Sequence, residues 1–503
     1  MKRKWGKIDG YLTVYMALTL TIVLSLCLTL IEGARQNAVF LEAECVTDIG
    51  LNSVLAEYHK ELLAQFHMFA IDSSYGREHP QVAFTQDHLE TYISRNLSRE
   101  DVLLDWLLYR DFLGMKADGV SVGKVRYLTD GRGGVFRRRA AEVMLDEANL
   151  TLLQDLHDWM DTVESDQLTE RDIAAEKKKL DKKLKSYDGE EKQISETEWI
   201  TIDVTNPTDY LEKIRKKGIL SWVVDVEKLS DKTLSEGNLI SLRMWSTRYN
   251  QGNLALEDPF VVTDQAIAGS DAADAWGRHL ERVLFQEYLM RYLGNYRNLS
   301  DKEETALAYQ IEYILVGKES DQANLQGCVE MLFALREVSN TVYIFSDTEK
   351  RNIAKVLGTA LASAMGISEA AQVVEKILLF GWAFAESIVD VKCLMAGGRV
   401  PLTKTSDSWN LELKNALKIK DVSSFSSTEG LSYEDYLRIL LTVEKEDVLT
   451  VRAMDMVEAD IRLTTGNSAF RIDGCIDALE ACVHVESAYG YDCEITRQKA
   501  YDR

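Results

Sequence analysis

Proline is scarce in this chain, four among 503 residues, where ordinary usage would give about 25. So few breakers favour long helices and leave no material for a Pro-rich extended stalk. Histidine is also sparse, seven in all. No HExxH pair marks a zinc-peptidase helix, no GxSxG elbow offers an acyl-transfer serine, and no EF-hand spacing occurs. Ser121 and Lys124 match SxxK. They fall in a predicted strand, without the SDN and KTG partners that chemistry needs, so the match reads as chance. The run Gly119–Lys124 is one residue short of a phosphate loop and continues with Val125 in place of Ser or Thr. DGRGGVFRRR, 130–139, could present backbone amides and Arg137, Arg138 and Arg139 to an anion, but a tight turn entering a helix is the simpler reading. Carboxylates are too abundant for any two to be singled out as a glycosidase pair. No catalytic, cofactor or metal site is therefore predicted, and the expectation is a protein that is not an enzyme.

Cysteine is limited to seven residues, with no CxxC spacing. Cys27 lies in a long apolar run. The other six, Cys45, Cys328, Cys393, Cys475, Cys482 and Cys493, permit three disulfides in any of 15 pairings. A chain of this size does not need such staples. Cys482 and Cys493 flank a predicted hairpin turn and are the candidate pair, the strand register being open. Basic residues are outnumbered, 58 to 81, for a net charge of −23. That balance argues against nucleic acid or anionic lipid headgroups as partners held by charge.

What is present is a run of 21 uncharged residues, YLTVYMALTLTIVLSLCLTLI, at 11–31. As a helix it is roughly 31 Å long, enough to cross a bilayer core. Lys2, Arg3, Lys4 and Lys7 precede it against Asp9, so the positive-inside rule keeps residues 1–10 in the cytoplasm and sends the acidic bulk outside. A cleaved signal peptide is the rival reading. Its apolar core would be shorter, and the exit IEGARQNA places Glu32 at the −3 position for a cut after Ala34. The expectation is an uncleaved single-pass anchor. A ten-residue tail has no room for a kinase, cyclase or DNA-binding module, so any signal would pass through partner proteins. Within the run, Thr21, Ser25, Thr29 and Gly33 recur every four residues. Small residues so spaced form a ridge on which another helix can pack closely. The alternative is that their hydroxyls bond back to their own helix.

Beyond the run, Leu51, Leu55, Tyr58, Leu62, Phe66 and Phe69 step at helical spacing. They predict an amphipathic stalk helix within 32–80, either continuous with the span or hinged at Gly33. Residues 81–273 read as a mixed α/β region. It holds a helix over 85–114, a strand over 120–130, a long helix over 136–164, a charged helix or loop over 169–193 and a strand at 199–204. A further helix starts at Asn206-Pro207 and closes at Gly218. Residues 274–400 predict a helical bundle. Glu386, Asp390 and Lys392 make 377–398 a buried helix rather than a second span. Residues 401–503 predict helices, one capped by Ser432 and Asp435, and a C-terminal hairpin around AYGYD. The fold class is mainly α, α+β: an anchor and stalk helix under a large helical ectodomain with small β elements.

Several stretches carry a family resemblance: GYLTVYMALTLTIVLSLCLTLIEGAR, LNSVLAEYHKELLAQFHMFAID, VLFQEYLMRYLGNY, IEYILVGKESDQANLQGCVEMLFALREVSN and GGRVPLTK. Together they resemble an uncharacterised family of membrane-anchored proteins of Gram-positive bacteria, encoded with tight-adherence (Tad) pilus genes beside TadE/TadG-like minor pilins. The resemblance implies a pilin-like anchor with an outward head, and partners among membrane and pilus-assembly proteins. The chain departs from processed pilins in one respect. Counting from Gly10, Tyr15 stands where they carry a glutamate, so a stationary accessory component is expected rather than a fibre subunit. The expected function is that of a non-enzymatic accessory protein that packs helices in the membrane and binds proteins outside it. The alternatives are an envelope enzyme, which a concave site with convergent carboxylates would favour, and an adhesin or ligand-binding ectodomain, which a deep aromatic pocket would favour.

Overall fold

A computed structural model describes residues 9–97, 113–145, 172–195, 198–235, 238–246, 248–255, 271–417 and 428–501, with short pieces at 158–159 and 162–163. The tail at 1–8, most of the second half of the predicted 85–114 helix, most of 146–164 and the stretch 418–427 lie outside the described residues. The chain is mainly helical with a small antiparallel sheet. It forms two compact units, one of residues 1–131, 249–257 and 466–503, the other of 132–248 and 258–465. These units interleave along the sequence and do not follow the linear boundaries at 273 and 400.

The first unit is built on one helix, α1, Asp9–Leu55. It is unbroken, so the hinge at Gly33 is not formed. Its last third turns Val39, Ala43, Val46 and Leu51 inward, all essentially buried. Gly50 lies where a β-carbon would meet Ile93 at 2.8 Å. That glycine marks the close approach of α3, Val82–Leu97. The stalk ends earlier than its periodicity suggests. After Leu55 the chain turns, and α2, Lys60–Phe66, starts afresh with His59 as its cap, accepting from Leu62 N. Among its described residues, four strands complete the unit: β1 (Ile71–Asp72), β2 (Met115–Tyr127), β3 (Cys475–Ser487) and β4 (Asp492–Ala500). All pairings are antiparallel. β3 is central, with β2 on one edge and β4 and the short β1 on the other.

β3 alternates as its sequence predicts. Leu479, Ala481, Val483 and Val485 are buried in one cluster with α1 and α3, while Cys482, His484 and Glu486 point away. The register corrects the disulfide expectation. Cys482 is opposite Thr496, and Cys493 is opposite Val485. The two cysteines therefore project from opposite faces of the hairpin and cannot be bridged without a register slip. Both are free thiols, and Cys482 donates to Glu494 at 2.7 Å.

The second unit contains α4 (Asp130–Met144, of which 132 onward belongs here), α5 (Ile173–Lys185), α6 (Asp209–Lys217), α7 (Asp271–Tyr292), α8 (Gln310–Val316), α9 (Asp321–Ser346), α10 (Thr348–Ala364), α11 (Ala371–Met395), α12 (Tyr433–Val443) and α13 (Glu446–Leu463), with a two-stranded ribbon pairing 191–195 with 198–201. α6 begins later than the Asn-Pro signal, because Asn206 spends its side chain on Thr208, accepting from its N and Oγ1. Ser432 and Asp435 form the predicted capping box of α12. α11 is the buried centre of the unit. α10 lies against it through Ala354, Gly358 and Ala362, and a β-carbon at Gly358 would stand 2.9 Å from Glu375 N.

Candidate membrane anchor and packing surface

No residue from 11 to 34 in α1 is buried. Every residue from 20 to 34 is exposed, and Leu12, Leu18 and Leu30 each expose more than half their surface. A soluble helix does not leave such a run in water, since each large apolar side chain gains roughly 1.5–3 kcal/mol from burial. α1 is long and apolar enough to cross a membrane, and it is the one such helix among the described residues.

The predicted ridge lies on this segment. Thr21 Oγ1 donates to Ala17 O at 2.7 Å and Thr29 Oγ1 to Ser25 O, so these two hydroxyls are satisfied within the helix. Gly33 has open space where a side chain would stand. At 3.6 residues per turn, Thr21, Ser25, Thr29 and Gly33 lie on the side of α1 that continues as the buried face of Val39, Ala43 and Gly50. Near the exit of the span, the Arg35 guanidinium sits 4.1 Å above the ring of Tyr489, in the β3–β4 turn. An amphipathic tyrosine here suits the headgroup level of a bilayer. Arg497 to Glu44, Lys499 to Asn52 (2.7 Å) and Tyr501 OH to Leu55 O then fasten β4 along the helix. Beyond the helix end, Glu57 accepts from Tyr75 OH at 3.0 Å and Tyr92 OH at 2.7 Å and lies 2.9 Å from His88 Nδ1, tying α3 to this corner.

The second unit holds charged groups in its core. Arg336 is fully buried between Asp390 Oδ2 (3.1 Å), the carbonyls of Pro401 and Leu402, and Tyr436 OH. Lys404 is 1% exposed and donates to Glu386 Oε1 (2.7 Å), Asp390 Oδ1 (2.7 Å) and Ser408 O (2.8 Å), which uses all three of its protons. Burial pushes the Glu386 carboxyl up, against the Lys404 charge. Two cations thus meet two carboxylates. A pocket of about 260 Å³ opens beside them, lined among others by Asp390, Arg399, Asp407, Asn410 and Glu429. Sequence reasoning missed this cluster. Its one visible signal was Glu386 and Asp390, four apart in an otherwise apolar helix. Elsewhere in the unit, Glu312 Oε1 accepts from Tyr433 OH (2.6 Å) and Tyr296 N (2.9 Å). Its Oε2 is buried without a hydrogen-bond partner, and burial pushes the carboxyl up to about 7.

Fold and surface together define a mainly helical protein with, among the described residues, one N-terminal helix long and apolar enough to cross a membrane, whose later part packs on the sheet of the first unit. Over residues 197–487 the sequence matches the profile of a family of unknown function, DUF5702, and the chain belongs to that family. No curated protein and no solved structure matches it.

Proposed function

We propose that this protein is a membrane-anchored, extracytoplasmic accessory component of a Tad-type pilus or secretion assembly, working by helix packing and protein binding rather than catalysis. The observation that carries the reading is the division of α1 into an exposed apolar half and a half that packs one face against an antiparallel sheet. Such a helix serves as both tether and scaffold, as expected of a pilin-like subunit. The basic residues before the span orient the head outward. Protease added to intact spheroplasts should digest the head down to a membrane-embedded fragment; a fully protected chain would refute this topology. Ser25→Leu should reduce co-purification with membrane partners if the small-residue ridge makes contact, and unchanged recovery would discard the ridge.

A second reading, a ligand-binding or enzymatic ectodomain, rests on the pocket beside Asp390. Its volume of about 260 Å³ is below the usual range for drug-sized ligands, so it would suit only a small polar molecule. Protection of Arg399 from chemical modification by such a ligand would support that reading.

A further inference from the structure

A second line runs along α1, on the side away from the sheet. Met16, Leu20, Cys27, Leu41, Cys45 and Ile49 belong to it, and every position at its centre, reached in steps of three and four, is uncharged. Cys27 and Cys45 are eighteen residues apart, five whole turns at 3.6 per turn, so the line runs straight. Apart from the partly buried Ala38 it stays open: Met16 is 62% exposed, Leu41 61% and Ile49 47%, and both cysteines are exposed.

From Met16 to Ile49 the line measures about 50 Å, whereas a bilayer core is about 30 Å thick. On the topology proposed above, on which this inference rests, lipid covers the first part and leaves Ala34 to Ile49 facing water. Apolar side chains there ask for a protein cover. Contact over that outer part alone covers less than half of the line and falls short of the roughly 800 Å² a side of a standard stable interface, whereas the whole line, about 50 Å long, offers a surface of that order. The occupant must therefore pass from membrane to water at the same height and in the same direction. A second copy of this chain meets that condition residue for residue. Small residues at the middle of the line, Cys27, Ala34, Ala38 and Cys45, let two backbones come close. A straight 3.6-residue line also fits parallel packing without supercoiling.

We infer that α1 pairs in parallel and in register with α1 of a second copy along the line from Met16 to Ile49. The rims carry Glu42 and Asp48, which repel across the pair. Their repulsion is screened over about 8 Å at physiological salt.

The test uses the full chain in its own membranes, with Cys27, Cys482 and Cys493 changed to Ser so that Cys45 is the exposed thiol. Oxidation by copper(II)-phenanthroline takes two electrons and two protons from two thiols. It should give a disulfide-linked species of twice the 57.0 kDa chain mass, in higher yield at higher salt. Moving the thiol to the opposite side of the helix, Cys45→Ser with Gln36→Cys, should cut the dimer at least tenfold. Leu41→Lys with Cys45 retained should do the same, with trypsin resistance of the head showing that it is folded. No dimer through Cys45, or equal dimer through position 36, overturns the pairing. A bifunctional maleimide–photoreactive probe on Cys45 that captures only a different anchored chain also overturns it, and leaves the anchor reading standing. A chain extracted by alkaline carbonate overturns the anchor reading itself.

Discussion

Glu312→Gln should change how the stability of the second unit depends on pH. Glu312 sits on α8, sealed by Tyr433 and Cys328, and burial raises its carboxyl from the ordinary 4.5 to about 7. Below about 4.5 the folded and unfolded chains both hold the proton. As pH rises, the unfolded chain loses it first, so unfolding is favoured progressively until the folded carboxyl also ionises near 7. Stability fully present at low pH is thus lost across that window, by roughly 3 kcal/mol. Glutamine keeps an acceptor for Tyr433 OH and Tyr296 N and does not titrate. In a unit of this size 1 kcal/mol moves Tm by about 2 °C. Between pH 5 and pH 8, where about 2.5 kcal/mol of that loss falls, the wild type should therefore lose roughly 5 °C more than the variant. Asp455, raised to about 6 by burial, acts in the same direction in both proteins and cancels in the comparison. The assay is thermal unfolding of detergent-solubilised full chain followed by tryptophan fluorescence, to which Trp382 and Trp409 in this unit contribute. Equal pH slopes for the two proteins would show that Glu312 does not titrate in this window.

Arg336→Met should destabilise the second unit by about 3–5 kcal/mol, because it strips a buried cation from Asp390 and leaves the Pro401 and Leu402 carbonyls short of a donor; a denaturant midpoint equal to wild type would contradict the buried network. Gly358→Val should cost about 1–3 kcal/mol by forcing α10 off the backbone of α11 at Glu375, read as a lowered midpoint at unchanged slope, while the exposed Val356→Ala on the same helix serves as a neutral control.

Much of the fold was legible because its signals are local. Few prolines, the 21-residue apolar run, the Ser432 capping signal and the alternation in β3 each depend on neighbours in sequence. The division into units was not legible, because β2 and β3 pair across more than 300 residues of intervening chain, and nothing in either strand names its partner. The hairpin itself could be read from AYGYD, yet its register could not, and a shift of that kind decides which face a cysteine occupies. The buried ions were half visible. Glu386 and Asp390 announce a need for cations, but Arg336 on α9 and Lys404 in a loop answer it only in three dimensions.

Those two carboxylates also explain how α11 stays out of the membrane on the proposed topology. Without its charged residues the segment 377–395 would be long and apolar enough to be mistaken for a second span while the chain is exported unfolded. An acid near the middle of a span costs roughly 3 kcal/mol and leucine gains a few tenths, so the two acids together disfavour insertion by roughly 7 kcal/mol relative to two leucines. Once outside, folding supplies Lys404 and Arg336, and the charges cease to be a liability. The double substitution Glu386→Leu with Asp390→Leu removes both barriers and leaves Lys392 near one end, where its stem can reach the interface. Everything after α11 should then stay in the cytoplasm. A membrane-impermeant maleimide applied to intact spheroplasts should label the half-exposed Cys482 in the parent chain and spare it in the double variant, in both cases with Cys27, Cys45 and Cys493 replaced by Ser. Equal labelling of the two chains would mean that the carboxylates serve the folded core alone, and that something other than their charge carries α11 across.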